Sequence, residues 1–325
     1  MSEPLLEIEN LCVDYETDRG DLKALRDISF DVRKGEIVGI VGESGCGKST
    51  LISTILRLTA PNMRFRNGAV RFKGENLLDA SDRRMRALRG SDISIVFQDP
   101  MQTHNPVISI GRQLVDIQHR SKASRASKRA HAAKMLAAVG IPDAATRLKQ
   151  FPHELSGGMR QRIAIAMALM SEPDLLIADE PTTALDATLE VQIIERLKDL
   201  QKEFGCSILF ISHHLGVIAE LCDRVVVMYA GAVVESGSVR EIFHDPKHPY
   251  TRRLIECDPG HIKGRARVLP TIPGELPDLI NLPSGCIFRD RCDQAMQRCA
   301  QVPPLEILSN GRSAACWLNH KDLAR

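Results

Sequence analysis

Nine consecutive residues constrain this 325-residue chain more than any others: Gly42-Glu43-Ser44-Gly45-Cys46-Gly47-Lys48-Ser49-Thr50. They fit the pattern G-x-x-x-x-G-K-[ST], in which glycines let backbone N–H groups converge on phosphate oxygens. The apolar run Glu36-Ile37-Val38-Gly39-Ile40-Val41 just before them reads as a buried parallel strand. Gly47 to Leu56 reads as a helix behind them, and its positive dipole end favours an anion. Lys48 is then expected to reach β- and γ-phosphate oxygens, and Ser49 a Mg²⁺ ion. The plain alternative, a glycine-rich turn with a surface lysine, is disfavoured by the strand–loop–helix setting.

The rest of the chain suits such a loop. Leu6, Ile8, Leu11, Val13 and Tyr15, then Leu25, Ile28, Phe30 and Val32, alternate roughly with polar residues, as half-buried strands do. From about Gly111 to Gln161 the pattern is helical, and Ala123 to Val139 is rich in strong helix formers. Strands at Leu175–Ala178 and Ser207–Ile211 then alternate with helices at 189–204 and 215–222. Arg224–Met228 and Ala232–Glu235 read as a final hairpin. Strand–helix alternation implies an α/β core with a parallel sheet. Prolines and glycines between about Asp258 and Gly285 predict a linker or loop-rich extension.

A second chemical signal is Leu175-Leu176-Ile177-Ala178-Asp179-Glu180-Pro181, an apolar strand ending in two carboxylates. Alone it reads equally well as a turn. Beside a phosphate loop, Asp179 would help hold Mg²⁺ through water and Glu180 would polarise the attacking water as general base.

Composition excludes several classes. The formal net charge is +2, too balanced for a dedicated nucleic-acid binder, and aromatic residues make up only 4%. No apolar run approaches the roughly 20 residues of a membrane span. The acidic start Met-Ser-Glu-Pro-Leu-Leu-Glu-Ile-Glu is unlike a signal peptide, so the chain is expected in the cytosol. There, nine cysteines point to packing, metal binding or catalysis rather than disulfides. The basic stretch Arg112 to Lys134 lacks interleaved aromatics and reads first as a solvated helix face, with a membrane-facing role as the alternative.

Leu155-Ser156-Gly157-Gly158-Met159-Arg160-Gln161-Arg162 resembles the signature sequence of ATP-binding cassette (ABC) ATPases. Other cassette elements stand in that family's order over about residues 5 to 255. Tyr15 resembles the adenine-stacking aromatic, Gln98 the Q-loop glutamine that also reaches Mg²⁺, Asp186 the D-loop aspartate and His213 the switch histidine. One departure is His214, at a position commonly Asp in the family. The resemblance implies a P-loop nucleotide-binding domain at 1–255. Its parts are a RecA-like core, an antiparallel β subdomain and a helical subdomain at about 100–165. It also implies ATP and Mg²⁺ as ligands and a dimer. Ser156, Gly157, Gly158 and Gln161 would then face the ATP held by a second cassette. By itself, Ser156-Gly157-Gly158 is also an ordinary helix start.

Residues 256–325 resemble the C-terminal extension of oligopeptide/dipeptide importer ATPases, through Asp245 to Thr251, Pro273-Gly274-Glu275-Leu276-Pro277 and Gly285-Cys286-Ile287-Phe288. Cys286, Cys292, Cys299 and Cys316 have spacings unlike those of common zinc sites or ferredoxins. The resemblance implies a possible [4Fe–4S] cluster on them; zinc and reduced packing thiols remain alternatives. Cys46 reads as a small spacer. The function implied is ATP-driven peptide import through two separate permease subunits. A second, different ATPase subunit, an extracytoplasmic binding protein, and a place on the cytoplasmic face of the inner membrane go with it. Nickel or glutathione import is an alternative substrate class. A soluble ABC ATPase acting on nucleic acid or ribosomes is the rival class. Lys48 and Asp179 lie only 131 positions apart, which leaves no room for a coiled-coil insertion.

Overall fold

A computed structural model describes residues 3–99, 103–182, 187–258, 270–308 and 311–320. The strands in chain order are β1 (Pro4–Thr17), β2 (Gly20–Arg33), β3 (Ile37–Val41), β4 (Met63–Phe72), β5 (Glu75–Asn76) and β6 (Ile93–Val96). They continue with β7 (Leu175–Asp179), β8 (Ser207–Ile211), β9 (Arg224–Tyr229), β10 (Ala232–Ser238), β11 (Glu306–Ile307) and β12 (Ser313–Ala314). The chain forms two compact units, each drawn from separate stretches. One is chiefly Arg33–Ile37 with Ser81–Ile211. The other is Pro4–Val32, Val38–Ala80 and the chain from Ser212 onward.

In the first unit β6, β7 and β8 run parallel, with Ile95 opposite Ile177 and Ile177 opposite Leu209. Every residue of β8 and the first four of β7 are buried. That is why these strands read as unbroken apolar runs rather than alternating ones. The expected helical region lies in this unit as Ile110–Ile117, Arg125–Ala138, Ala144–Arg147 and Gly157–Leu169. Ser124 starts the second of these helices by accepting the Ser127 N–H, a serine cap that stabilises a helix by about 1 kcal/mol.

The second unit holds two sheets. One is antiparallel, in the order β2-β1-β4-β5, with Leu6 opposite Phe72 and Ile8 opposite Val70. The other runs β11-β12-β10-β9-β3. Within it β3 and β9 are parallel and the remaining pairs antiparallel. All five residues of β3 are buried, as its unbroken apolar run predicts. Ser313 and Ala314 pair with Ser236 and Glu235, so the C-terminal extension adds strands to the sheet that carries the phosphate loop.

The stretch read as a linker or loop-rich extension forms no helix or strand over 270–285, as its prolines and glycines predict, and it is docked by backbone hydrogen bonds: Lys23 N–H donates to Leu279 O at 3.0 Å. Pro and Gly density forbids regular structure but not docking. Residues 259–269 lie outside the described residues. Among the described residues, no helix is long and apolar enough to cross a membrane.

Candidate active site

The phosphate loop belongs to the second unit. It leaves β3 and enters the helix Lys48–Ile55 through Gly47, whose φ is 104°. A Cβ there would meet Ala24 O at 2.8 Å, and one at Gly42 would meet Met228 O at 2.2 Å. Both positions therefore need glycine for space as well as conformation. Among the described residues no side chain caps the helix, so its first N–H groups remain for an anion. Lys48 is only 9% exposed; its ammonium donates to Gly42 O at 2.6 Å and Glu43 O at 3.1 Å. The loop thus curls around its own cation. Ser44, Gly45 and Ser49 are exposed along it. Cys46 is buried beneath, and burial pushes its thiol up, as suits a spacer. The Tyr15 hydroxyl donates to Thr50 Oγ1 at 3.4 Å, which sets the aromatic ring beside the loop. These features fit a Mg-nucleotide: a glycine cradle, a buried cation and an exposed serine hydroxyl.

His213 and His214 belong to this unit too. Both are exposed, and their rings stack edge-on at 4.6 Å. Ser212 accepts the His214 N–H at 2.9 Å, fixing the turn before the helix Leu215–Leu221.

The first unit carries the carboxylates. Asp179 ends β7, and Glu180 follows with φ 44°, in the left-handed region. A non-glycine residue held there costs of order 1–3 kcal/mol, and such strain gathers at functional sites. Its N–H donates to Ile211 O at 2.9 Å, which holds the bend. Gln98 Nε2 donates to Glu180 Oε2 at 3.0 Å, so two of the expected catalytic groups are one hydrogen bond apart.

The signature also lies here. Ser156 caps the helix Gly157–Leu169 by accepting the Met159 N–H, and Ser156 and Gly157 are exposed. Gly158 is buried. Gln161 is 2% exposed, on the packed side of the helix. Sequence reasoning missed His104. It is buried and hydrogen-bonds Arg160 O at 2.9 Å, tying the segment after Gln98 to the signature helix. Asp186 lies outside the described residues.

Comparison with known proteins decides the family. The ABC transporter model matches residues 25–183, and the model for the oligopeptide/dipeptide transporter C-terminal region matches 234–299. The dipeptide transport ATP-binding protein DppD of Bacillus subtilis is 47% identical over 97% of this chain and 95% of its own. The oligopeptide transport ATP-binding protein OppD of Salmonella typhimurium is 46% identical over 96% of this chain and 93% of its own.

This chain belongs to the ATP-binding subunits of oligopeptide/dipeptide ABC transporters. Among solved structures it is similar to a dimeric, post-hydrolysis state of the ATP-binding cassette MJ0796 bound to ADP and phosphate. There the identity is 27% and the TM-score 0.65, over 72% of this chain and 99% of that one. A second is cbiO1 from Clostridium perfringens, at 30% identity and TM-score 0.66 over 75% and 92%. The cassette fold of the family is therefore the fold of this ATPase.

The C-terminal extension brings Cys286, Cys292, Cys299 and Cys316 to one small apolar pocket, which Phe288 and Trp317 also line. Burial pushes the Cys286 and Cys292 thiols up, and that of Cys316 to about 11. All nine cysteines are free. Among the described residues, however, no three His, Cys, Asp or Glu side chains are grouped so as to hold a metal ion. The four cysteines converge as a set without forming a ready metal-ligand group. The sequence-based metal assignment therefore gains no support from their arrangement.

Proposed function

We propose that this ABC ATPase powers the import of di- or oligopeptides through separate membrane permease subunits. The observation that carries the reading is near-full-length similarity to dipeptide and oligopeptide transport ATP-binding proteins in a chain that keeps a complete phosphate loop. In this reading Lys48, with Gly42, Glu43, Ser44, Gly45, Cys46, Gly47 and Thr50, cradles the triphosphate, and Tyr15 stacks on adenine. Ser49 and Gln98 hold Mg²⁺, with Asp179 acting through water. Glu180 is the general base and His213 senses the γ-phosphate. Ser156, Gly157, Gly158, Gln161 and Asp186 face the ATP of a partner cassette.

The proposed assembly is two permeases, a second and different ATPase subunit, and a binding protein outside the membrane. The chain would be peripheral on the cytoplasmic face of the inner membrane. For the tail cysteines the finer reading is a [4Fe–4S] cluster. This reading rests on donor chemistry alone: cysteine thiolates are soft ligands of the kind iron–sulfur clusters use. Anaerobic purification tests it. Iron near four per chain, the count of such a cluster, supports the reading, and iron-free colourless protein rejects it in favour of packing thiols.

The function itself is tested by mild-detergent affinity purification of the tagged chain from native membranes, followed by mass spectrometry. Two multispan permeases and a second ATPase are expected. Ribosomal or DNA-repair proteins in their place would overturn transport while leaving the ATPase intact.

A further inference from the structure

Arg291 sits in the C-terminal extension, in the short turn Arg289–Arg291 between Cys286 and Cys292. Its side chain is 6% exposed. The guanidinium forks onto Glu43 of the phosphate loop, Nη1 to Oε2 at 2.8 Å and Nη2 to Oε1 at 3.0 Å. Nη1 also donates to Tyr229 Oη at 3.3 Å, Nη2 to Ile272 O at 3.2 Å and Nε to Pro273 O at 2.8 Å. A guanidinium has five N–H donors, and all five are engaged. Bidentate charge-assisted pairs of this kind fix geometry as well as charge.

Glu43 is held from its backbone too, since its N–H donates to Tyr250 Oη at 2.9 Å. Its own carbonyl accepts from Lys48 Nζ and from the Cys46 N–H. A continuous series of contacts therefore runs from Arg291 through Glu43 to the lysine that meets phosphate. The base of this clamp is rigid: Tyr229, Tyr250 and Phe288 pack ring to ring with centroids 4.6 to 5.4 Å apart. Phe288 in turn lines the four-cysteine pocket.

We propose that Arg291 is a positioning residue for ATP: the C-terminal extension holds the phosphate loop in its binding shape and neutralises Glu43 beside the nucleotide phosphates. This rests on the ATP-binding reading of the loop. Without Arg291, a carboxylate lacking its counter-charge stands next to the triphosphate, and the Glu43 carbonyl that helps hold Lys48 loses a support.

The test is equilibrium binding of a fluorescent ATP analogue to the full-length chain, read together with thermal stability. Arg291→Ala is expected to raise the dissociation constant roughly tenfold, the scale of one lost charge-assisted contact. Adding Glu43→Gln to Arg291→Ala removes the uncompensated charge and is expected to recover part of the affinity. Arg291→Lys, which keeps charge but loses the fork, should fall between; it carries the test if the alanine variant does not fold. A lowered melting temperature with an unchanged dissociation constant would make Arg291 merely structural and overturn the proposal. If the wild-type chain itself does not bind the analogue, the ATP-binding reading fails instead, which keeps the two failures distinct.

Discussion

Gln98 Nε2 lies 3.0 Å from Glu180 Oε2, and the two residues are 82 positions apart in the chain. Glu180 accepts this bond from a backbone bend with φ 44° that is tied to Ile211. The carboxylate is thus aimed by two independent constraints, one on its backbone and one on its side chain.

Glu180→Gln keeps the shape of the side chain and removes its basicity. ATP affinity should be unchanged, and single-turnover hydrolysis should fall by about 10²–10⁴-fold, the usual share of a positioned base. Rapid-quench measurement of phosphate release checks this. Near-normal turnover would remove Glu180 from the role.

Lys48→Ala leaves the carbonyls of Gly42 and Glu43 without their cation and the triphosphate without its charge partner. The ATP dissociation constant should rise by about 10- to 100-fold, corresponding to about 1.5–3 kcal/mol for a hydrogen bond to a charged group. Isothermal titration calorimetry reads it directly.

A buried ion pair joins the C-terminal extension to the sheet of the phosphate loop. Arg312 Nη2 meets Glu235 Oε1 at 2.7 Å, and their side chains are 5% and 0% exposed. Glu235 also accepts the N–H groups of Lys247 and His248. Arg312→Ala leaves a buried carboxylate without its counter-charge and should cost about 3–5 kcal/mol in denaturant unfolding.

Burial pulls His248 down to about 3, and its Nδ1 accepts the Tyr250 N–H, which requires the neutral ring. The ordinary histidine value is about 6.5. Above that pH both folded and unfolded states hold it neutral, so its stabilising contribution is complete. As pH falls from 6.5 towards 3 only the unfolded chain takes up the proton, so stability drops by up to about 1.4 kcal/mol per pH unit from this group. His248→Asn keeps a cap acceptor without titrating. It should flatten this limb when unfolding free energy is measured from pH 7 to 4.5.

The local signals were the legible ones. The phosphate loop, the apolar strands β3, β7 and β8 and the serine-capped signature helix each lie within a short window, where spacing alone specifies conformation. Pairings across long separations were not legible. Nothing in the spacing links Arg291 to Glu43, 248 positions away, or His104 to Arg160. The Pro- and Gly-rich stretch was legible as irregular, but its docking through backbone carbonyls such as Pro273 O and Leu279 O leaves no periodic trace. The burial of Gln161 was not legible either, because it depends on tertiary neighbours of the signature helix. The four tail cysteines line one pocket, but their spacing does not specify how their sulfurs are arranged.

The most direct measurement is uptake of labelled di- and oligopeptides by cells deleted for this chain and complemented with wild type or Glu180→Gln at equal expression. The account predicts that wild type restores ATP-dependent peptide uptake and that Glu180→Gln does not. Uptake unchanged by the deletion, or restored equally by both forms, would contradict it.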